Sequence, residues 1–223
     1  MIDKIERVHN ALPDVTKISF TPLSPEEQKR VSIIPEIQNT FSLRDQENMS
    51  LETYEYNGIR LGYVCYYPKS KQDAEAKHLT RAVGKIVDIN ENGQVIGYTS
   101  FEGVIDAVER PHVHHDDRNY PSVTGTSTVC EQPDSNGIPE NHREKGHAIR
   151  RLIALNKLIT ERYNESLQSS TGFEVDKKSG KKLGELVWLR LKDAGLVEVA
   201  RRRLPWNISQ ERRYKFKPRD RRV

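Results

Sequence analysis

The stretch that decides the fold of this sequence is Leu191-Lys192-Asp193-Ala194-Gly195-Leu196-Val197-Glu198. Apolar residues recur at helical spacing from Leu183 to Ala194, which predicts a helix that ends at Gly195. A glycine at this position reaches the left-handed conformation that closes a last turn without a Cβ penalty. Residues 196–203 then predict a strand, and residues 211–217, where aromatic residues alternate with cations, predict its antiparallel partner.

A longer amphipathic helix is predicted upstream of that stretch. Apolar residues from Ala148 to Leu167 lie mostly on one helical face, and the basic residues of the segment are expected on the other. Residues 169–172, Ser-Ser-Thr-Gly, interrupt the pattern. The basic residues placed on the outer face are Arg150, Arg151, Lys157 and Arg162.

The order helix, break, helix, basic hairpin in residues 142–223 resembles the winged helix-turn-helix superfamily. The resemblance implies that the helix near Lys181–Lys192 enters the major groove of duplex DNA and that the hairpin contacts the backbone as a wing. Glu185 would face the groove, and Trp206 would either stack on a base or pack against the base of the wing. The nucleic-acid-binding residues implied are Lys181, Lys182, Arg190, Arg201, Arg202, Arg203, Trp206, Arg212, Arg213, Lys215 and Lys217.

The charge of the chain is divided unevenly along its length. Residues 1–140 contain 14 Lys and Arg against 22 Asp and Glu, whereas residues 141–223 contain 22 against 10, although the whole chain carries only +4. A separation of this kind favours a polyanionic partner for the basic part. The alternative is a solvated surface with a charged tail.

The first 110 residues predict an α+β domain with helices and a small antiparallel sheet. Asn57-Gly58 stands between two strand-like runs, and this pair tolerates the positive φ angles of a tight hairpin turn. A second hairpin is predicted around residues 90–93, Asn-Glu-Asn-Gly. Residues 111–141 are rich in Pro, Gly, Ser and Thr, and this composition predicts a loop or linker. The predicted division is therefore 1–110, 111–141 and 142–223.

Five of the seven histidines lie between residues 112 and 147, together with Cys130, Asp116 and Asp117. Imidazole, thiolate and carboxylate groups suit Zn²⁺ or another divalent metal, although histidines also cluster in loops by chance. His112-Val113-His114 resembles the metal signature of HUH endonucleases, and His114-His115-Asp116 resembles an HNH nuclease, in which a histidine activates water. The candidate ligands are His112, His114, Cys130, His142 and His147, and the candidate catalytic residues are His114, His115 and Asp116.

Three functions follow from the sequence, in order of preference. The first is a non-enzymatic DNA-binding protein whose acidic part mediates assembly with a protein partner. The second is a metal-dependent endonuclease, and the third is an RNA-binding component of a ribonucleoprotein. No cofactor is expected unless the histidines bind metal. No membrane segment or signal peptide is expected, and two cysteines without a disulfide pattern favour the cytoplasm, or the nucleus of a eukaryote.

Overall fold

The structure is a computed structural model, and it describes residues 12–40, 48–105, 122–128, 132–133, 139–140, 146–169, 183–202 and 211–217. These residues form an α+β fold, which confirms the predicted class. No helix within these ranges is both long enough and apolar enough to cross a membrane.

A six-stranded antiparallel sheet dominates the fold, and each strand pairs with its neighbour in sequence, in the order β1 to β6. Two further residue pairs form a short ladder, β7 (Gln132–Pro133) with β8 (Pro139–Glu140). The sheet strands are β1 (Ile18–Pro22), β2 (Ser50–Tyr56), β3 (Ile59–Tyr67), β4 (Arg81–Ile89), β5 (Val95–Val104) and β6 (Ser122–Thr128).

Both predicted hairpins are present in the sheet. Asn57 and Gly58 have φ angles of 55° and 78°, so the two turn residues adopt the left-handed conformation that the sequence predicts between β2 and β3. The second hairpin joins β4 to β5, with Gly93 at a φ of 75°. The sheet is larger than predicted, because β6 falls inside residues 111–141 and pairs with β5. Because that strand is rich in Ser, Thr and Gly, its composition predicts a loop and not a strand.

Two short helices cover one face of the sheet. Helix α1 (Pro25–Ser32) begins with a capping box, in which the Ser24 hydroxyl accepts from the Glu27 N–H and the Glu27 carboxylate accepts from the Ser24 N–H. Helix α2 (Pro35–Gln38) follows, and α3 (Lys71–Ala76) lies between β3 and β4. The apolar cluster on this face contains Leu23, Val31, Ile37, Leu51, Cys65 and Val87.

Helix α4 (His147–Tyr163) covers the opposite face of the sheet. Its buried residues Leu155, Leu158 and Ile159 join one apolar cluster with Val64 and Ile86 of the strands. Lys157 extends beyond this cluster and donates to the Ile18 carbonyl oxygen at 2.7 Å, which ties the helix to the start of β1. The helix therefore crosses the sheet from β4 and β5 towards β1 and β2.

The remaining C-terminal elements are helix α5 (Leu183–Asp193) and the hairpin of β9 (Val197–Arg202) and β10 (Glu211–Phe216). Residues 167–169 run along the free side of β10, where the Ser169 N–H donates to the Tyr214 carbonyl at 2.7 Å. The Trp188 ring of α5 stacks on Tyr214 with ring centroids 6.2 Å apart. The predicted helices and strands of this region are confirmed to within a few residues.

The C-terminal elements and the sheet share one apolar core. Trp188, Leu191 and Phe216 belong to the same buried cluster as Val64 and Ile86 of the sheet. The predicted division at residues 111–141 stays a prediction, and the structure adds that the parts on either side of it pack together.

Candidate functional site

The candidate site centres on Asp88, a carboxylate near the end of β4 that is 1% exposed. Its neighbours in register are Gly62 on β3 and Gly97 on β5, so no side chain stands beside it on either adjacent strand. A Cβ atom at Gly62 would lie 1.8 Å from the Val87 carbonyl oxygen, which shows how closely the backbones approach here. The glycines leave a gap in the apolar face, and the first turns of α4 fill it with polar groups.

Helix α4 begins directly above this gap. Its N-cap is Gly146, which has a φ of 76° and provides no side-chain cap. The first turn of a helix presents N–H groups that no carbonyl of the same helix reaches, and the aligned peptide dipoles give this end a partial positive charge. His147, Arg150 and Arg151 follow immediately, so basic side chains lie at the end of the helix with the partial positive charge.

Arg151 and Asp88 form a buried ion pair. The Arg151 Nη1 atom lies 2.7 Å from Asp88 Oδ2, and its Nε donates to the Thr99 hydroxyl at 3.1 Å. The Arg151 side chain is fully buried, contrary to the prediction that it lies on the outer face of its helix. A buried pair of this kind is expensive to break, because removing one partner leaves the other charge uncompensated.

His147 is held between a cation and an anion. Its Nδ1 atom lies 2.7 Å from Arg150 Nη2 and 3.4 Å from Asp88 Oδ2. A guanidinium can only donate, so Nδ1 must be the acceptor in the shorter contact. In this contact Arg150 Nη2 therefore donates to the imidazole ring.

Among the described residues, three buried polar atoms at this place have no hydrogen-bond partner: Tyr54 Oη, Asp88 Oδ1 and Arg150 Nε. Burial raises the pKa of Tyr54, the charge of Asp88 raises it further, and Arg150 and Arg151 oppose both effects. Tyr54 is therefore a neutral hydroxyl that can donate or accept. Unsatisfied buried groups of this kind are rare in folded proteins and call for a physical explanation, such as a water molecule or a ligand.

A second polar cluster lies under the other end of α4. The Tyr66 hydroxyl donates to Glu52 Oε1 at 2.6 Å, and Arg162 Nη2 donates to the same oxygen at 3.1 Å. Burial raises the pKa of Tyr66, and its hydrogen bond to Glu52 raises it further. Tyr66 and Arg162 both bond to the Glu52 carboxylate, which fastens the helix to β2 and β3, although Arg162 Nε has no partner among the described residues.

Few of the predicted site residues have side chains in the part of the chain that the structure describes. Arg190 on α5 and Lys217 after β10 are exposed, whereas Arg213 and Lys215 are half-buried. Arg201, Arg202 and Arg212 belong to the hairpin strands, but their side chains lie outside the described part. Also outside the described residues are Lys181, Lys182, Arg203, Trp206, His112, His114, His115, Asp116, Cys130 and His142.

Of the predicted metal ligands, His147 lies in the described part of the chain. Within the described ranges, no group of three or more His, Cys, Asp and Glu side chains could hold a metal ion. His147 instead faces Arg150 Nη2 at 2.7 Å. The guanidinium contacts Nδ1 only, and the other predicted ligands lie outside the described residues, so the prediction that His147 is a metal ligand stays a prediction.

The residues that form the site were missed because they break the pattern around them. Asp88 stands in the apolar run Lys85-Ile86-Val87-Asp88-Ile89, and Arg151 stands beside the apolar residues Leu152 and Ile153. A charge inside an apolar strand and an opposite charge inside an apolar helix are each unfavourable when buried alone. Their joint presence is the signal that could have predicted the pair.

No protein-family model matches this chain, and no curated protein matches it. Among solved structures it is similar to a protein from Corynebacterium glutamicum described as histone acetyltransferase HPA2 and related acetyltransferase. The two chains are 10% identical, the TM-score is 0.33, and the similarity covers 93% of this chain and 99% of the other.

This finding corrects the functional predictions made from the sequence. The similar structure is described as an acetyltransferase, and it gives no support to the predictions of a DNA-binding protein, a metal-dependent endonuclease, an RNA-binding component or a nucleic-acid partner, which are not carried further.

Part of the basic charge of residues 141–223 is used for contacts within the chain. Arg151 pairs with Asp88, Arg162 pairs with Glu52, and Lys157 is bonded to a β1 carbonyl. These cations of the basic part therefore bind within the chain, two of them to carboxylates of the acidic part. The charge separation along the sequence thus reflects internal pairing as well as surface charge.

Proposed function

We propose that this chain binds a pyrophosphate-bearing small molecule of the coenzyme A type at the N-terminus of α4. The observation that carries the proposal is the start of a 17-residue helix at Gly146, which has no side-chain cap and lies above buried polar atoms without partners. Helix N-termini of this kind bind phosphate groups through their backbone donors and their dipole.

The local sequence supports an anionic ligand. Arg143 and Lys145 precede Gly146 in the chain, and Arg150 follows it within the first turn. Gly146 and Ala148 are both small, which favours a close approach of a phosphate to the backbone. Coenzyme A and its thioesters are group carriers, and they contain a pyrophosphate diester of constant charge.

The polar groups under the helix support the same location. The charge of Asp88 is already balanced by Arg151, so its presence does not oppose an anion above it. The neutral Tyr54 hydroxyl and the Arg150 Nε–H are both able to donate. A ligand acceptor that reached the Tyr54 hydroxyl or the Arg150 Nε–H would satisfy a buried donor that otherwise has no partner.

Gly146→Asp is expected to weaken the binding of coenzyme A at least about tenfold. An aspartate at the N-cap would accept the backbone donors itself and place a negative charge where the phosphate binds. Isothermal titration calorimetry with coenzyme A measures the effect, and NAD serves as a second pyrophosphate ligand that distinguishes a general site from a selective one.

The matched control is Gly195→Asp. Gly195 is also left-handed, with a φ of 74°, but it lies at the C-terminal end of α5, so this variant repeats the backbone strain without touching the site. Unchanged affinity in Gly146→Asp, or an equal loss in both variants, would contradict the proposal. Absence of binding by the unaltered protein would contradict it directly.

The winged-helix architecture of residues 142–223 stays a proposal about fold alone. It is supported by the order α4, a short extended segment beside β10, α5 and the β9–β10 hairpin. An experimental structure in which residues 170–182 contain the missing second helix would support it, and one in which they run as a strand would contradict it.

A further inference from the structure

A row of paired residues crosses the sheet beneath the start of α4. From β2 to β5 the row consists of Tyr54, Gly62, Asp88 and Gly97. Tyr54 and Asp88 carry the polar side chains of this row, and both residues are buried. The register of strand pairing shifts directly after each of them. Bulges of this kind bend a strand and redirect its side chains, so the row is irregular at its two polar residues.

Two atoms of this row and one atom of α4 are buried and have no hydrogen-bond partner among the described residues. They are Tyr54 Oη, Asp88 Oδ1 and Arg150 Nε. The pKa of Tyr54 is raised first by burial and then by the charge of Asp88, and it is lowered by Arg150. Both charges therefore act at the Tyr54 hydroxyl, which indicates that the three atoms converge from β2, β4 and α4.

The three atoms differ in the hydrogen bonds that they can form. A carboxylate oxygen only accepts, an arginine Nε–H only donates, and a phenol hydroxyl does either. An anion at this place could accept from Arg150 and Tyr54, but it would face Asp88 Oδ1 as a second acceptor. A cation would be repelled by Arg150. A water molecule both donates and accepts, and buried waters in proteins typically form about three hydrogen bonds, so water suits all three atoms.

We propose that Tyr54 Oη, Asp88 Oδ1 and Arg150 Nε form a binding site for one internal water molecule. The water accepts from Arg150 Nε, donates to Asp88 Oδ1 and forms its third hydrogen bond with the Tyr54 hydroxyl. It joins β2 and β4, which are not neighbours in the sheet, to the first turn of α4. The backbone N–H groups proposed for phosphate binding are not among these atoms, so the water site does not depend on the proposed function.

Tyr54→Phe tests the site, because a bonded hydroxyl and an unbonded one predict different effects. If the hydroxyl is bonded to the water, its removal costs one hydrogen bond. The equilibrium constant for unfolding, measured with urea, is then expected to rise about fivefold. If the hydroxyl has no partner, phenylalanine removes a buried unsatisfied group, and the constant stays the same or falls. That second result would overturn the proposal.

Two other tyrosine-to-phenylalanine variants calibrate the measurement. The buried Tyr163 hydroxyl donates to the Pro68 carbonyl oxygen at 2.6 Å, so Tyr163→Phe should raise the unfolding constant by a factor of about five as well. Tyr63 is half-buried on β3, and its hydroxyl is not among the buried atoms without a partner. Tyr63→Phe should therefore change the constant by about twofold or less. An effect of Tyr54→Phe no larger than that of Tyr63→Phe contradicts the water site.

A crystal structure of the ligand-free protein provides the direct test. We expect a water oxygen within about 3.2 Å of each of the three atoms. A protein group bonded to these atoms in its place, or no electron density between them, would overturn the proposal whatever the variants show. Failure of coenzyme A to bind would contradict the proposed function and leave the water site in place, because neither experiment contains a ligand.

Discussion

Replacing Asp88 with alanine is expected to lower the free energy of unfolding by about 3–5 kcal/mol. Arg151 is fully buried, and Asp88 Oδ2, at 2.7 Å from its Nη1 atom, provides the opposite charge. The variant would leave the guanidinium in the core without the carboxylate that balances its charge, although its hydrogen bond to Thr99 would remain. Urea unfolding followed by far-ultraviolet circular dichroism measures the loss.

Glu102→Ala is the matched control for the Asp88 variant. Glu102 also pairs with an arginine, Arg81 at 3.0 Å, but the two side chains are 44% and 64% exposed. Exposed pairs of this kind contribute about 0–1 kcal/mol, so the control should unfold almost like the unaltered protein. A loss below about 1 kcal/mol in Asp88→Ala would mean that the buried pair is not formed as described.

Trp188→Ala is expected to lower the free energy of unfolding by about 3–5 kcal/mol, the range for removing a large aromatic from a core. The indole ring is 3% exposed and packs on Phe216 with ring centroids 5.8 Å apart. It belongs to the same apolar cluster as the sheet, so the whole protein should still unfold in one transition, shifted to lower denaturant.

The shape of the Trp188→Ala transition distinguishes one shared core from two separate ones. Fluorescence of Trp206 reports on the C-terminal part, and far-ultraviolet dichroism reports on the whole chain. If only the fluorescence transition moved, residues 142–223 would be an independently folding unit. Leu186→Ala, at an exposed position of the same helix, is the control and should change stability by about 0.5 kcal/mol or less.

The sequence predicts the local structure of this protein well, because local structure depends on neighbouring residues. Asn57-Gly58 specifies its turn through the φ angles that these residues tolerate, and Gly195 ends α5 for the same reason. Strand β6 was missed because pairing with β5 stabilises it more than its own composition does. Its existence depends on a neighbour that is distant in sequence.

The candidate site could not be predicted in the same way. Asp88 and Arg151 meet only when α4 is laid across the sheet, so neither residue indicates the other before the tertiary packing is known. His147 was assigned to a metal site because histidines cluster nearby in the sequence. In the structure its ring nitrogen is occupied by Arg150, which is three residues away on the same helix.

The nearest-neighbour order of the sheet has a consequence for the synthesis of the chain. Strands β1 to β5 can pair as soon as residue 105 has left the ribosome, since each strand needs only the one before it. Helix α4, which covers the apolar face of those strands, is made only after residues 106–146. At about 5–20 residues per second the nascent sheet waits for several seconds with this face open to water. During that interval, chaperones that bind apolar surface can be expected to bind the nascent chain. Slower translation of residues 106–146 would lengthen the interval in which the uncovered sheet can aggregate.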